Sequence, residues 1–202
     1  AEQLEKLPKS IKWIIVDEIQ RIPELLNIVH QQIYKKNFLF ALTGSSARKL
    51  RRGQANLLAG RALMLHLFPL THVELGNKFD LDFVLNYGSL PVVASSKEET
   101  ISSYLRAYAQ SYIREEIVAE QIVRKIIPFK NFLRIAAQMN GKIINYSNIA
   151  RDIGVDHKTV QEYFSILEDT LLGFFLYPFH NSPRKRQILA PKFYLFDLGV
   201  KR

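Results

Sequence analysis

Ile11-Lys12-Trp13-Ile14-Ile15-Val16-Asp17-Glu18 sets the architecture of the first part of the chain. Its first six residues form a short, nearly continuous apolar run, the pattern of a strand buried on both faces of a parallel sheet, and the run stops abruptly at two acids. Pro23 and Glu24 then open a segment whose apolar positions Leu25, Leu26, Val29 and Ile33 follow helical spacing. This predicts a helix to about Tyr34, with Pro in the first turn, where a missing N–H costs nothing. Phe38-Leu39-Phe40-Ala41-Leu42 is a second apolar run of strand length, and it ends in Thr43-Gly44-Ser45-Ser46, a polar cluster that opens a loop. Strand, helix and strand imply a right-handed βαβ unit. Ala62 to Phe68 reads as a third strand closed by Pro69.

In open parallel sheets, ligands sit beyond the carboxyl ends of the strands, which is where Asp17 and Glu18 fall. Four apolar residues followed by Asp-Glu is the Walker B pattern of nucleotide hydrolases. The first carboxylate holds Mg²⁺, usually through waters, and the second orients or polarises the attacking water. The next strand ends among the hydroxyls of Thr43, Ser45 and Ser46, suited to sensing a γ-phosphate. Leu58-Ala59-Gly60-Arg61 offers an arginine able to reach phosphates. The bland alternative is a solvated strand end with a snorkelling arginine.

Composition agrees with this class and excludes others. The chain has 202 residues, 48% of them apolar, a formal net charge of +9 and no cysteine. Disulfide frameworks, thiolate metal sites and cysteine nucleophiles are thereby excluded. The first residues show no basic segment followed by an apolar core, and the greasy stretch Leu57 to Leu70 is interrupted by Arg61, His66 and Pro69. Neither secretion nor membrane spanning is expected, and the expected location is cytoplasmic. The positive balance makes polyanions the first partners to consider. It is uneven: between Glu24 and Glu74 stand Lys35, Lys36, Arg48, Lys49, Arg51, Arg52 and Arg61, with no carboxylate among them.

Beyond about Gly76 the character becomes helical. Lys97 to Ile127 has few breakers before Pro128, and Tyr104, Leu105, Tyr108, Tyr112 and Ile113 form a stripe of the kind that packs a core. A helix from about Phe129 to Met139 should stop at Asn140-Gly141. Ser147 to Ile153, the turn Gly154-Val155-Asp156 and a second helix from His157 to Leu167 read as a helix-turn-helix. Its second helix would point His157, Lys158, Gln161 and Ser165 outward, residue types that read base edges or phosphates. A wing over Leu172 to Asn181 would carry the basic tip Arg184-Lys185-Arg186, placed to clamp a DNA backbone. Glu162, Glu168 and Asp169 lower the local field, and such modules also serve as packing or partner-binding units.

Several spaced blocks together resemble a known family. Ile14 to Leu26, Leu42-Thr43-Gly44-Ser45-Ser46, Leu58-Ala59-Gly60-Arg61, Phe68-Pro69-Leu70, Tyr104-Leu105-Arg106-Ala107-Tyr108, Ile149 to Val155 and Pro191 to Gly199 look like the prokaryotic AAA+ superfamily ATPases that carry an uncharacterised C-terminal domain. The resemblance implies an α/β P-loop-type core remnant, its parallel sheet the Walker B half, followed by an all-α connector and a winged-helix-like domain. In this scheme residues 1–75 are the C-terminal half of the ATPase core, 76–127 the connector, 128–190 the winged helix-turn-helix-like domain and 191–202 the start of a further domain. It implies ATP and Mg²⁺ in the intact protein, with Asp17 positioning the metal, Glu18 orienting water, Thr43, Ser45 or Ser46 sensing phosphate and Arg61 compensating developing charge. Duplex DNA and a homo-oligomer are the further partners considered. The chain departs from the family in having no G-x-x-x-x-G-K-[ST] loop. The expectation is an internal fragment, or a natural degenerate copy, without ATPase turnover of its own. The rival reading is a DNA-binding or protein-interaction winged-helix module on an inactive α/β scaffold.

Overall fold

A computed structural model of the chain describes residues 7–8, 10–35, 38–44, 58, 60–112, 123, 126–179, 181–182 and 189–201. The chain divides into two compact units, Ala1–His66 and Leu67–Arg202.

In the first unit β1 (Trp13–Val16) and β2 (Leu39–Leu42) pair in parallel, from Trp13 opposite Leu39 to Val16 opposite Leu42. They are joined through a 3-10 turn, Ile19–Arg21, and α1 (Leu25–Tyr34). This is the expected strand, helix, strand order. α1 begins two residues beyond Pro23, which instead sits in the preceding turn and accepts a hydrogen bond from the Leu26 N–H at 3.0 Å. Leu26, Val29 and Gln32 are buried on one helical face, as is Ile19 from the turn.

Two expectations for this unit are corrected. β1 is not buried on both faces: Trp13 is 60% and Ile15 74% exposed, because only two strands pair among the described residues. Residues 62–68 form neither helix nor strand, and Leu63, Met64, Leu65, Leu67 and Phe68 are exposed. Strand propensity alone does not make a strand; a neighbouring ladder of N–H and C=O groups must be present to satisfy it.

The second unit starts with short, well-capped helices, α2 (His72–Leu75), α3 (Leu81–Tyr87) and α4 (Pro91–Ser95), followed by α5 (Glu98–Tyr112). Thr71 and Glu74 form a reciprocal capping box, Asp80 accepts from the Phe83 N–H, and Pro91 occupies the first turn. Val93, Ile101 and Leu105 make a small core here, flanked by Phe83, Tyr87, Leu90 and Tyr104. α6 (Ile126–Gln138) contains Pro128 rather than stopping at it. A proline in the first turn removes only an N–H that has no helical acceptor.

α7 (Tyr146–Ile153), α8 (His157–Asp169) and the antiparallel pair β3 (Gly173–Leu176) and β4 (Lys192–Leu195) complete the unit. Its main core gathers Phe129, Phe132, Val160, Phe164 and Phe193, all fully buried. The aromatic stripe of α5 is packing: Tyr108 and Tyr112 lie against this core, and the Tyr112 hydroxyl is 3.0 Å from the Thr170 hydroxyl. Ile113 lies outside the described residues. The segment 191–202 is expected to open a further domain, but its residues 191–201 are woven into this unit. β4 pairs with β3, the Leu195 N–H donates to Asn140 Oδ1 at 2.8 Å, and the Ile144 N–H donates to the Pro191 carbonyl at 2.9 Å.

Candidate functional site

The tips of β1 and β2 are bound together through one side chain. The Thr43 N–H donates to the Val16 carbonyl at 2.9 Å, and its own carbonyl accepts from the Ile19 N–H at 3.0 Å. Its hydroxyl donates to Asp17 Oδ1 and accepts from the Glu18 N–H at 3.1 Å. Glu18 is held in the left-handed region, φ 53° and ψ 48°, where residues other than glycine, asparagine and aspartate seldom sit. The turn this creates ends the strand and sends the chain into the 3-10 segment, leaving Asp17 exposed and Glu18 half-buried.

Asp17, Glu18 and Thr43 therefore lie together at the tips of the two strands. A hydroxyl has one proton to give. That proton goes to Asp17, so in this arrangement Thr43 orients the Asp17 carboxylate and the backbone of Glu18 and keeps only acceptor capacity for anything beyond them. Ser45 and Ser46 lie outside the described residues. Arg61 stands beside another feature of this unit. It lines an open cleft of about 450 Å³ with Lys12, Trp13, Phe38, Leu39 and Phe40, residues at the opposite, amino ends of the strands. No local pattern announces this cleft, since its walls come from positions where the two strands start and from a segment after the second.

Asp17 and Glu18 are hard oxygen donors at an exposed rim, the chemistry that suits Mg²⁺. Asp17 spends one oxygen on Thr43, leaving the other for a metal-bound water. One or two carboxylates hold Mg²⁺ only when substrate phosphates complete the shell. The residues fit that ion as part of a site and not as a whole one.

In the second unit α7 and α8 meet at Gly154, whose left-handed conformation (φ 70°, ψ 41°) closes α7. Asp156 caps α8, accepting from the N–H groups of Lys158 and Thr159 at 2.9 and 3.0 Å and from the Thr159 hydroxyl at 2.7 Å. Val160, Tyr163, Phe164, Ile166 and Leu167 turn into the core, while His157, Lys158, Gln161 and Ser165 are exposed as predicted. Glu162 and Glu168 share that exposure. Arg184, Lys185 and Arg186 lie outside the described residues.

The bonds from Thr159, its hydroxyl first, hold the Asp156 carboxyl below the usual aspartate range. A carboxyl depressed in the folded state stabilises it above the unfolded pKa, and that contribution disappears as pH falls through the folded value. Asp156→Asn keeps the cap but cannot titrate. Far-UV circular dichroism against pH is expected to show a weaker loss below about pH 4 for this variant than for the parent; identical acid profiles would remove Asp156 from the account.

Comparison with known proteins adds the family. Residues 78–202 match the model of a domain of unknown function, DUF8612, over more than half of the chain. The chain belongs to the DUF8612 family. Residues 1–76 match an AAA domain, which supports a relation to AAA-type ATPases for the βαβ unit and its two acids. Uncharacterized proteins of Mycobacterium tuberculosis and Mycobacterium bovis are each 25% identical over 191 residues, covering 93% of this chain and 43% of theirs. An uncharacterized protein of Haemophilus influenzae is 23% identical over 216 residues, covering 98% of this chain and 54% of its own. The chain thus spans about half the length of the curated relatives it matches. No solved structure matches it. A small parallel sheet followed by a mainly helical region is compatible with an α/β core and a helical C-terminal part. Among the described residues no helix is long and apolar enough to cross a membrane.

Proposed function

We propose that this chain supplies the metal-binding and water-orienting half of an ATP-hydrolysing site in a larger AAA-type protein of the cytoplasm. The observation that carries the reading is the Asp17–Thr43–Glu18 network at the carboxyl ends of two parallel strands. Asp17 holds the water shell of Mg²⁺, and the ion, when bound with nucleotide, neutralises charge on the phosphates. Glu18 takes a proton from, or orients, the attacking water, and Thr43 fixes the Asp17 carboxylate and the backbone of Glu18. Arg61, which lines the cleft at the amino ends of the strands, is suited to contacts outside this site. The phosphate cradle comes from residues other than these 202, so the chain alone is expected to show negligible saturable ATP turnover.

The test uses the longest natural form of the protein containing this chain. Glu18→Gln is expected to keep nucleotide binding and lose about 10²-fold or more in turnover, as removal of a positioned base does. Asp17→Asn should weaken Mg²⁺-dependent binding itself. Unchanged turnover in both variants would end the proposal. Thr43→Ser should retain most activity and Thr43→Val should not, because only the former keeps the hydroxyl bridge.

A second reading concerns residues 126–201, whose order of three helices and a β-hairpin supports a winged-helix-like module. The exposed His157, Lys158 and Gln161 and the basic residues Arg184, Lys185 and Arg186 would meet duplex DNA. Neutralising those three basic residues is expected to weaken binding on all sequences and to flatten its salt dependence. A variant with the parent's affinity and salt slope would remove them from the interface.

A further inference from the structure

The two faces of the β3–β4 hairpin have different surroundings. Phe175 and Phe193 turn inward, with ring centroids 5.6 and 4.8 Å from that of Phe164. Phe174, Leu176, Lys192 and Tyr194 occupy the alternate positions and share the outer face. There the rings of Phe174 and Tyr194 stack nearly parallel, 16° apart with centroids at 5.7 Å, and Phe174 is 47% exposed. Leu176 and Lys192 stand opposite each other in the next row, both exposed. Ile143, bridged to Lys192 from the α6–α7 connection, extends that row and is exposed as well. The outer face thus carries Phe174, Tyr194, Leu176 and Ile143, with Lys192 among them.

We propose that this outer face is a stacking platform for the unpaired bases of a single-stranded nucleic acid. Charge selects the occupant. Residues 177–191, which link the two strands, contain Arg184, Lys185 and Arg186 and no acid, and Lys192 follows them directly. A second copy packed face to face would oppose like charges, whereas a polynucleotide brings a phosphate for every base. The rings select the single strand. A base offers its flat face only when it is unstacked, and aromatic side chains beside a basic track are how such strands are held. α8, the element that would enter a duplex groove, exposes Glu162 and Glu168 beside Lys158, a poorer match for paired DNA. The proposal shares the nucleic-acid reading of residues 126–201 but assigns it to a different surface.

Fluorescence anisotropy of the full chain with a labelled oligothymidylate, and with a duplex of equal length, separates the alternatives. The single strand is expected to bind about tenfold or more tightly than the duplex. Phe174→Ser should lose about tenfold in single-strand affinity, Phe174→Tyr should restore it, and Lys192→Gln should reduce the salt slope. Phe174 is exposed, and an unchanged thermal melt verifies that the variant is folded. Single-strand binding equal to the parent's in Phe174→Ser overturns the proposal. Binding that survives Phe174→Ser but is lost in a Lys158→Ala, Gln161→Ala variant also overturns it and assigns the contact to α8. A dimer seen by light scattering and abolished by Phe174→Ser would make a second copy the occupant instead. No binding to either nucleic acid sinks this proposal and the duplex reading together, leaving the ATPase reading untouched.

Discussion

Phe164→Ala is expected to destabilise the second unit by about 4 kcal/mol, the cost of truncating a buried phenylalanine and leaving a cavity. Phe164 is fully buried and its ring meets four others: Phe132 at 4.8 Å, Phe193 at 4.8 Å, Phe175 at 5.6 Å and Tyr146 at 5.9 Å. Those partners come from α6, β4, β3 and α7, so this one side chain touches every layer around the helix that carries it. Neighbouring rings cannot collapse into the void without leaving their own edge-to-face contacts, and this keeps the cost at the upper part of the usual range. Chemical denaturation followed by far-UV circular dichroism measures it. The chain's one tryptophan, Trp13, lies in the other unit and would not report the event. A loss below about 1 kcal/mol would mean that the aromatic cluster is not the core of this unit. Phe164→Leu, which keeps most of the volume, should cost considerably less.

Asp197→Ala is expected to cost about 3 kcal/mol or more, by a different route. Asp197 is 5% exposed, and its side-chain oxygens accept from the Ser89 N–H at 2.7 Å and the Gly199 N–H at 2.8 Å. Alanine would leave two sheltered amides without an acceptor, and each such orphan costs about 1–3 kcal/mol. Space is equally committed. A side chain at Gly88, which has φ 78°, would overlap the Asp197 carboxyl, and one at Gly199 would overlap the Tyr87 carbonyl. Gly199→Ala should therefore resemble Asp197→Ala. Amide hydrogen exchange is expected to locate the loss in α3, α5 and the last ten residues, with the Phe164 core less affected. Exchange unchanged in α3 would show that Asp197 does not tie the chain's end to that helix.

The reading of the sequence succeeded where a pattern was local. The apolar run before Asp17, the spacing of Leu26 and Val29, the stop at Gly141 and the Gly154 turn each depend on neighbours within a few positions, and each element stands close to where it was expected. It failed where an element needed a distant partner. Ala62 to Phe68 has the composition of a strand, yet residues 62–68 form none. Residues 191–202 read as the start of a further domain because sequence does not reveal that β3 pairs with Lys192–Leu195, from Leu176 opposite Lys192 to Gly173 opposite Leu195. Pro128 breaks nothing because it falls in the first turn of α6, and where that helix starts is not visible in the local sequence. The acid pair was legible from type and order alone. That Thr43 would spend its proton on Asp17 was not, since the two are 26 residues apart and meet only through the parallel register.

Glu18 has a consequence for anyone who tries to improve this protein. A left-handed backbone costs a side-chain-bearing residue roughly 1–2 kcal/mol that glycine escapes. Selection for heat resistance alone should thus enrich Glu18→Gly, yielding a hardier molecule with its proposed water-orienting carboxylate gone. Position 18 is where durability and chemistry pull in opposite directions, and the acid's persistence under selection for activity would reveal which of the two the cell requires.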